Sequence, residues 1–306
     1  MRCELCPRKC GVDRTNTVGY CGQTNEISIS RAAPHMWEEP CISGVNGSGT
    51  VFFCGCTLGC VYCQNAAISR GGVQNAGVKV TSEKLAQVFI ALQAEGVHNI
   101  NLVTPTMFTS GIAEAVDVAR TDGLTLPVVY NTSGYERTEA LDIMGERIDI
   151  YMPDFKYLSS ELSAKYSHAA DYPKHAAASL AHMVKRIGEA AFDADGMMTR
   201  GVIVRHLLLP GGLAESKRVL EYLFGEYGNS ITYSIMSQYT PTSSLDRDRY
   251  PELSRRITTY EYNKLTEYAL SLGIKNGFIQ SGSAAKESFI PEFDGSTVIS
   301  KIKENN

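Results

Sequence analysis

Short apolar runs alternate with amphipathic segments over most of this 306-residue chain, and this alternation restricts the fold more than any other feature. Six runs have the length and composition of buried strands, namely residues 50–54, 98–103, 127–131, 148–153, 202–208 and 231–236. Segments with apolar residues at helical spacing follow them, at 82–95, 111–120, 136–144, 173–190, 214–227 and 259–272. A short closing strand is expected at 277–280. Strands that alternate with helices predict an α/β fold with a parallel sheet.

The size and charge of the chain limit the kind of domain, partner and cellular location that can be expected. With 43% hydrophobic residues, a chain of this length can bury one large core. The formal net charge of −4 gives no electrostatic reason to expect a nucleic acid or an anionic membrane as partner. The first residues include Arg2, Arg8 and Lys9 and no apolar run of signal-peptide length, and no later run approaches a bilayer span. We therefore expect a cytoplasmic protein.

Three cysteines stand close together directly after the first predicted strand. Cys56, Cys60 and Cys63 have a C-x3-C-x2-C spacing, and Gly55 and Gly59 allow tight turns between them. A single zinc ion needs a fourth ligand to complete its tetrahedron, whereas a cubane iron–sulfur cluster can be held by three cysteines with one iron left open. The spacing therefore predicts a cluster that binds a further ligand, with a zinc loop or a set of buried thiols as the alternatives.

A second group of cysteines lies near the N-terminus and consists of Cys3, Cys6, Cys10 and Cys21. Proline, glycine and charged residues separate them without a helical or strand period. Residues 1–46 are therefore predicted to form a small cysteine-rich extension shaped by a ligand, followed by one domain over 47–306. Four thiolates suit a tetrahedral zinc site or a second iron–sulfur cluster, and free thiols are the third interpretation.

The loop from Cys56 to Cys63 resembles the cluster loop of the radical S-adenosylmethionine (SAM) superfamily, whose motif carries an aromatic residue before its last cysteine, here Tyr62. The six β/α units resemble the partial (β/α)6 barrel of that superfamily over residues 47–280. The N-terminal cysteine motif and residues 35–50 are similar to an uncharacterised branch of pyruvate formate-lyase-activating-enzyme-like proteins. The resemblance implies a [4Fe–4S] cluster on the three cysteines of the loop, with SAM on its open iron.

Polar residues follow several predicted strands, and in such barrels chemistry gathers at the C-terminal strand ends. Thr104 and Thr106 follow the second strand, where many family members have a Gly-Gly-Glu segment that meets the SAM amino group. This chain departs from that pattern, and an ordinary strand stop is the alternative. Asn131, Thr132 and Ser133 follow the third strand. The matching turn lies near the SAM carboxylate and ribose in the activators that this chain resembles, and a helix-capping turn is the alternative.

Charged residues follow the fourth strand and interrupt the fifth. Asp154 and Lys156 share one side of an extended chain because alternate residues share a face. The activators carry the same Asp-x-Lys, which contacts the SAM ribose and carboxylate; a simple ion pair is the alternative. Arg205 lies within an aliphatic run, and its guanidinium suits the SAM carboxylate if it points into the barrel. Met236 and Gln238 follow the sixth strand and are expected to reach the adenine or the substrate.

Three other polar residues are expected to have no direct part in the reaction. His206 falls on the opposite face from Arg205 in a regular strand, which favours a buried histidine with satisfied hydrogen bonds. Glu38 and Glu39 are expected at the surface, with a contact to substrate as the alternative.

The resemblance implies a reaction in which one-electron reduction of the cluster cleaves SAM to methionine and a 5′-deoxyadenosyl radical, which abstracts hydrogen from a substrate. It also implies an electron donor of the flavodoxin or ferredoxin type. A protein glycyl-radical enzyme is the first hypothesis for the substrate, and a peptide or small molecule is the second. A metal-binding scaffold without turnover is the alternative from another class.

Overall fold

The computed structural model describes residues 2–69, 77–279 and 291–302 of the chain. The described strands are β1 (Ile27–His35), β2 (Ser48–Phe53), β3 (Val78–Val80), β4 (Ile100–Val103), β5 (Val128–Thr132), β6 (Ile150–Pro153), β7 (Ala191–Phe192), β8 (Met198–Leu207), β9 (Thr232–Met236) and β10 (Gly277–Ile279). They form one sheet in the order β10-β9-β8-β6-β5-β4-β2-β1-β3, and β7 pairs with β8 outside this path.

Parallel pairing extends from β2 through β4, β5, β6, β8 and β9 to β10. The first six of these strands are the six that the sequence predicts, and β10 lies where the closing strand is expected, although Gln280 is outside the described residues. The predicted α/β fold with a parallel, partial-barrel sheet is therefore confirmed.

The described helices are α1 (Pro40–Ser43), α2 (Ala66–Ser69), α3 (Ser82–Ala94), α4 (Thr109–Thr121), α5 (Thr138–Met144), α6 (Ser160–Ser167), α7 (Tyr172–Ile187), α8 (Leu213–Tyr227), α9 (Thr259–Leu272) and α10 (Ser296–Ile299). The six long predicted helices correspond to α3, α4, α5, α7, α8 and α9. Local sequence explains their starts: the Thr81 side chain accepts a hydrogen bond from the Lys84 backbone N–H before α3, and Thr258 with Glu261 forms a capping box before α9. None of the described helices is long and apolar enough to span a bilayer.

The strand β1 was not predicted, because its sequence mixes isoleucine with serine and alanine and no long apolar run marks it. It pairs antiparallel with β2 and with the short strand β3, and most of its residues are buried. The sheet thus begins before residue 47. A domain boundary at that position stays a prediction.

Residues 36–47, which we call the barrel plug, connect β1 to β2 and enter the concave side of the sheet. Cys41 and Ile42 of α1 share an apolar cluster with inward residues of β5, β6 and β8: Val129, Ile150, Met152, Met198 and Ile203. The Asn99 side-chain amide donates a 2.7 Å hydrogen bond to the Ile42 carbonyl. Because Asn99 directly precedes β4, the plug enters at the N-terminal ends of the strands and closes that end of the barrel.

Ile42 is 0% exposed within this cluster, whereas Val45 of the same plug is 84% exposed. We expect Ile42→Ala to lower the free energy of unfolding by about 2–5 kcal/mol, because it leaves a cavity in a packed core. Val45→Ala, the matched control, should change it by less than about 0.5 kcal/mol. Urea denaturation followed by circular dichroism measures both. Equal effects of the two substitutions would show that the plug does not pack inside the barrel.

Candidate cofactor site at the strand ends

Strand alternation divides the residues of β5, β6 and β8 between two faces. Val129 and Ile203 point to the barrel plug, while Val128 and Val204 pack into the main core towards the helices. Along the same alternation, Asn131 and Arg205 face inward, as do Asp154 and Lys156, which follow the end of β6. His206 faces outward, where its ring nitrogens bond to the Phe155 carbonyl at 2.7 Å and to the Ser216 hydroxyl at 2.8 Å.

Arg205 is the centre of a buried charge cluster. Its Nε donates to Asp154 Oδ1 at 2.9 Å, its Nη1 to Glu38 Oε2 at 3.2 Å, and its Nη2 to Asn131 Oδ1 at 2.6 Å. Lys156 Nζ contacts the other Asp154 oxygen at 2.6 Å. The side chains of Arg205, Asp154 and Lys156 are each only 15% exposed. The three charged residues predicted from the sequence to lie together are therefore in contact.

The cluster fixes the charge of its members. Burial alone would raise the pKa of Asp154, but Arg205 and Lys156 outweigh it and hold that pKa below its usual value. Burial alone would lower the pKa of Lys156 and of Arg205, yet Asp154 raises both above their usual values. The shifts favour the charged forms of all three side chains, namely the Lys156 and Arg205 cations and the Asp154 carboxylate.

Glu38 is the main contact that the sequence analysis missed. Its carboxylate accepts hydrogen bonds from Arg205, from Asn101 Nδ2 at 3.1 Å and from Asn131 Nδ2 at 3.4 Å, so it lies inside the barrel and not at the surface. Burial raises its pKa against the opposing charge of Arg205. Glu39 is also buried, at 7% exposure. The expectation of two surface glutamates was wrong, because nothing in the local pattern shows that the plug enters the barrel.

A cavity of about 240 Å³ opens beside this charge cluster. The predicted site residues that line it are Cys60, Tyr62, Cys63, Asn131, Asp154, Lys156, Arg205, Met236 and Gln238. Residues that were not predicted line the rest, among them Trp37 and Glu38 of the plug, His35 at the end of β1, and Phe52 and Val103 from β2 and β4. The cavity thus joins the cysteine loop to the charged strand ends.

Hydrogen-bond donors surround the sulfurs of the cysteine loop. The backbone N–H groups of Leu58 and Gly59 each point to Cys56 Sγ at 3.4 Å, and the Ser167 hydroxyl donates to Cys60 Sγ at 3.0 Å. Gly55 and Gly59 adopt φ values of +89° and +66°, and this left-handed backbone conformation favours glycine at both positions of the loop. Burial raises the pKa of the Cys63 thiol to about 12.

Four predicted cofactor contacts do not line the cavity. Thr106 Oγ1 donates to Glu136 Oε1 at 2.6 Å, and the Thr132 hydroxyl bonds to the same carboxylate. Thr132 follows the inward Asn131 and so points to the other face of β5. Ser133 offers its carbonyl to the Tyr172 hydroxyl. Thr104 forms a strained turn with φ +58°, a conformation rare for threonine.

Glu136 itself was not anticipated. It is 1% exposed, and burial raises its pKa to about 7 against the hydrogen bonds from the two threonines. Its Oε2 has no hydrogen-bond partner among the described residues. Thr132, which follows the inward-facing Asn131 on β5, therefore bonds to the buried carboxyl group of Glu136 on the opposite face of the sheet.

Two of the N-terminal cysteines share a local geometry with the loop. Cys21 Sγ donates to the Gln23 carbonyl at 3.9 Å, whereas Cys6 and Cys10 each receive a backbone hydrogen bond from the residue two positions later, which is Arg8 and Val12 respectively. Cys56 and Cys63 receive the same bond from Leu58 and Asn65.

The two cysteine groups also touch. The Cys56 backbone N–H donates to the Cys21 carbonyl at 3.3 Å. No three Cys, His, Asp or Glu side chains in the described part of the chain already converge at the distances of a single bound ion.

Comparison with known proteins gives the family. The sequence profile of the Radical SAM superfamily matches residues 50–223. An uncharacterised protein of Methanocaldococcus jannaschii is 27% identical over 274 residues, which are 87% of this chain and 74% of that protein. Among solved structures, methylornithine synthase is 11% identical to this chain with a TM-score of 0.46. The match spans 72% of this chain and 67% of the methylornithine synthase chain. HydG, a maturase of the [FeFe]-hydrogenase, is 15% identical with a TM-score of 0.49; the match spans 78% of this chain and 53% of HydG. Because the family profile covers more than half of its residues, the chain belongs to the radical SAM superfamily.

Proposed function

We propose that this chain holds a [4Fe–4S] cluster on Cys56, Cys60 and Cys63 and binds SAM in the adjoining cavity to start hydrogen abstraction from a substrate. The observation that carries the proposal is a single cavity lined both by Cys60 and Cys63 and by the charges of Asp154, Lys156 and Arg205. The family implies both cofactors, and their assignment to these residues is our proposal.

The cysteine loop suits a cluster with three protein ligands. Its sulfurs accept hydrogen bonds from backbone N–H groups and from Ser167, and such donors favour the thiolate form that binds iron. Cubane ligands bind separate irons, so their sulfurs need not meet at one point. Two of the three cysteines face the cavity, which leaves room for a ligand of the open iron.

The charge cluster suits a zwitterionic ligand such as SAM. Two buried cations can bind a carboxylate, and the contacts of Arg205 with Asp154, Glu38 and Asn131 use three of the five guanidinium N–H groups, which leaves one on Nη1 and one on Nη2 for such a ligand. The Asp154 carboxylate and the Asn131 amide can accept from ribose hydroxyls or an ammonium group. Met236 and Gln238 line the same cavity and are proposed to contact the adenine.

The strained turn at Thr104 is compatible with a role in binding the SAM amino group. A non-glycine residue in the left-handed region costs roughly 1–3 kcal/mol and persists where the surroundings enforce it, often at ligand sites. The Thr104 N–H donates to the Asn131 carbonyl at 2.8 Å, which ties the turn to the cavity wall. A carbonyl from this turn could replace the contact that the family's Gly-Gly-Glu segment supplies. Thr106, Thr132 and Ser133 are proposed to support this wall from behind.

When bound, the cluster and SAM supply the one-electron cleavage chemistry. The residues of this chain hold and orient them. Arg205, Asp154 and Lys156 fix the charged end of the ligand, Tyr62 flanks it, and the plug with Glu38 closes the bottom of the cavity and excludes water from that end.

Activation of a glycyl-radical enzyme is our proposal for the downstream step, and its support is the resemblance of the N-terminal cysteine motif and of residues 35–50 to the activating-enzyme-like branch. Modification of a peptide or small molecule is the second candidate. A flavodoxin- or ferredoxin-type donor in the cytoplasm is proposed to deliver the electron.

Reduced, anaerobically reconstituted protein should release 5′-deoxyadenosine from SAM. Cys60→Ala should abolish this release, because the cluster loses one of three ligands, while the matched control Cys41→Ala, a buried cysteine of the plug, should retain it. Liquid chromatography with mass detection measures the product. Release by Cys60→Ala at the parent rate would refute the ligand assignment, and no release by any form would favour a non-catalytic scaffold.

We further propose one metal centre on Cys3, Cys6, Cys10 and Cys21. Two of these cysteines are followed by glycines with positive φ, Gly11 at +68° and Gly22 at +78°, and a Cβ on Gly19 would lie 3.4 Å from both Cys10 Sγ and Cys21 Sγ. Tight turns that direct backbone N–H groups at sulfur stabilise thiolates. Binding would draw the four thiols together, and a small extension gains folding free energy from such closure.

Metal analysis of the Cys56/Cys60/Cys63 triple-alanine protein tests this site. Residual zinc of about one equivalent would support a tetrahedral structural centre, and residual iron with sulfide would support a second cluster. Either metal should disappear when Cys10→Ala and Cys21→Ala are added. Absence of both metals from the triple-alanine protein would overturn the proposal.

A further inference from the structure

A chain of hydroxyl groups leads from the cavity to one of the proposed cluster ligands. The Tyr62 hydroxyl lies 2.5 Å from the Tyr157 hydroxyl, which lies 3.1 Å from Ser167 Oγ. Ser167 Oγ in turn lies 3.0 Å from Cys60 Sγ. Exposure of Tyr62, Tyr157 and Ser167 is 6%, 1% and 0%, so this contact path is buried.

The donor and acceptor in each of these hydrogen bonds follow from the number of protons available. Each hydroxyl has a single proton to donate. A cluster-ligating Cys60 is a thiolate and can only accept, so Ser167 donates its proton to Cys60 Sγ, the Tyr157 hydroxyl then donates to Ser167, and the Tyr62 hydroxyl donates to Tyr157. All three O–H bonds therefore point towards one sulfur, and hydrogen bonds aligned in this way polarise and strengthen one another.

The position of Ser167 is fixed by the N-terminal extension. Ser167 is the last residue of α6, and the Arg8 guanidinium donates to its carbonyl at 3.1 Å. The same guanidinium donates to the carbonyl of Thr57, in the cysteine loop, at 2.9 Å. The Val61 N–H also donates to the Tyr166 carbonyl at 2.8 Å. The end of α6 and the loop are thus tied together on both sides of Cys60.

We propose that Ser167, supported by Tyr157 and Tyr62, sets the reduction potential of the cluster that Cys60 is proposed to bind. Hydrogen bonds to ligand sulfurs are among the factors that determine these potentials. An added electron increases the negative charge on the sulfur, so the aligned donors stabilise the reduced form more than the oxidised form. Ser167 is a positioning residue in this scheme, because it acts on the cluster through Cys60. The inference rests on the proposed function of the three-cysteine loop.

Potentiometric titration of reconstituted protein, followed by the electron paramagnetic resonance signal of the reduced cluster, tests this inference. Ser167→Ala should lower the fraction of reduced cluster at a fixed potential, with a tenfold change in the equilibrium corresponding to a 59 mV shift for one electron. Tyr157→Phe should shift the potential in the same direction by less, and Tyr62→Phe by less again. Ser167→Thr, which keeps the hydroxyl, should restore most of the parent value.

The double variant Ser167→Ala/Tyr157→Phe gives the sharpest comparison. The hydrogen-bonded path from Tyr157 to the sulfur runs through Ser167, so Tyr157→Phe should shift the potential less in the Ser167→Ala background than in the parent protein. The double variant also removes both partners of the Tyr157–Ser167 hydrogen bond, so the proton that Tyr157 donates to Ser167 is not left without an acceptor.

Matched controls are Ser163→Ala, a fully buried serine of the same helix that bonds to the Ser160 carbonyl, and Tyr233→Phe, whose hydroxyl bonds to the Gly228 carbonyl. Both should keep the parent potential. A Ser167→Ala potential equal to that of Ser163→Ala, or higher than the parent value, would overturn the inference. A parent protein that assembles no cluster would instead overturn the proposed function.

Discussion

The buried guanidinium of Arg205 is the interaction on which the rest of the site depends. A cation with 15% exposure is tolerable only if its donors are paired, and here Asp154, Glu38 and Asn131 pair them. Those partners come from the segment just after β6, from the plug and from β5, so satisfying one side chain fixes the relative positions of three chain segments. The same contacts hold Asp154 ionised and bring Lys156 to the cavity.

The plug explains why the cavity has a polar base. Residues 36–47 precede the first parallel strand, yet they fill the N-terminal end of the barrel with apolar contacts around Ile42 and place Glu38 above them. The N-terminal extension acts on the other side of the cavity, where Cys21 and Arg8 bond to the cysteine loop. Segments on both sides of β1 therefore support the proposed cofactor site, although neither belongs to the repeating β/α units.

The periodic spacing of apolar residues predicted those features of the fold and of the site that depend only on local sequence. The parallel strands, their helices and the inward direction of Asp154, Lys156 and Arg205 follow from alternation along single strands. The same alternation places Thr132 on the face opposite to Asn131, and this signal was available but not used. Glu38 and Ser167 could not be found in this way, because the contacts of Glu38 with Arg205 and of Ser167 with Cys60 join residues more than 100 positions apart and depend on how the plug and α6 fold back on the barrel.

The most direct test of the account is the affinity of the cluster-loaded protein for SAM after substitution of Arg205. A lost charge-assisted contact costs about 1.5–3 kcal/mol, so Arg205→Ala should weaken SAM binding roughly tenfold or more. Iron content should not change. Arg120→Ala, which removes a half-buried arginine bonded to Asp149 just before β6, at the strand ends opposite to the cavity, is the matched control and should keep the parent affinity. Equilibrium dialysis with labelled SAM measures all three proteins. Equal affinity of Arg205→Ala and the parent would contradict the account.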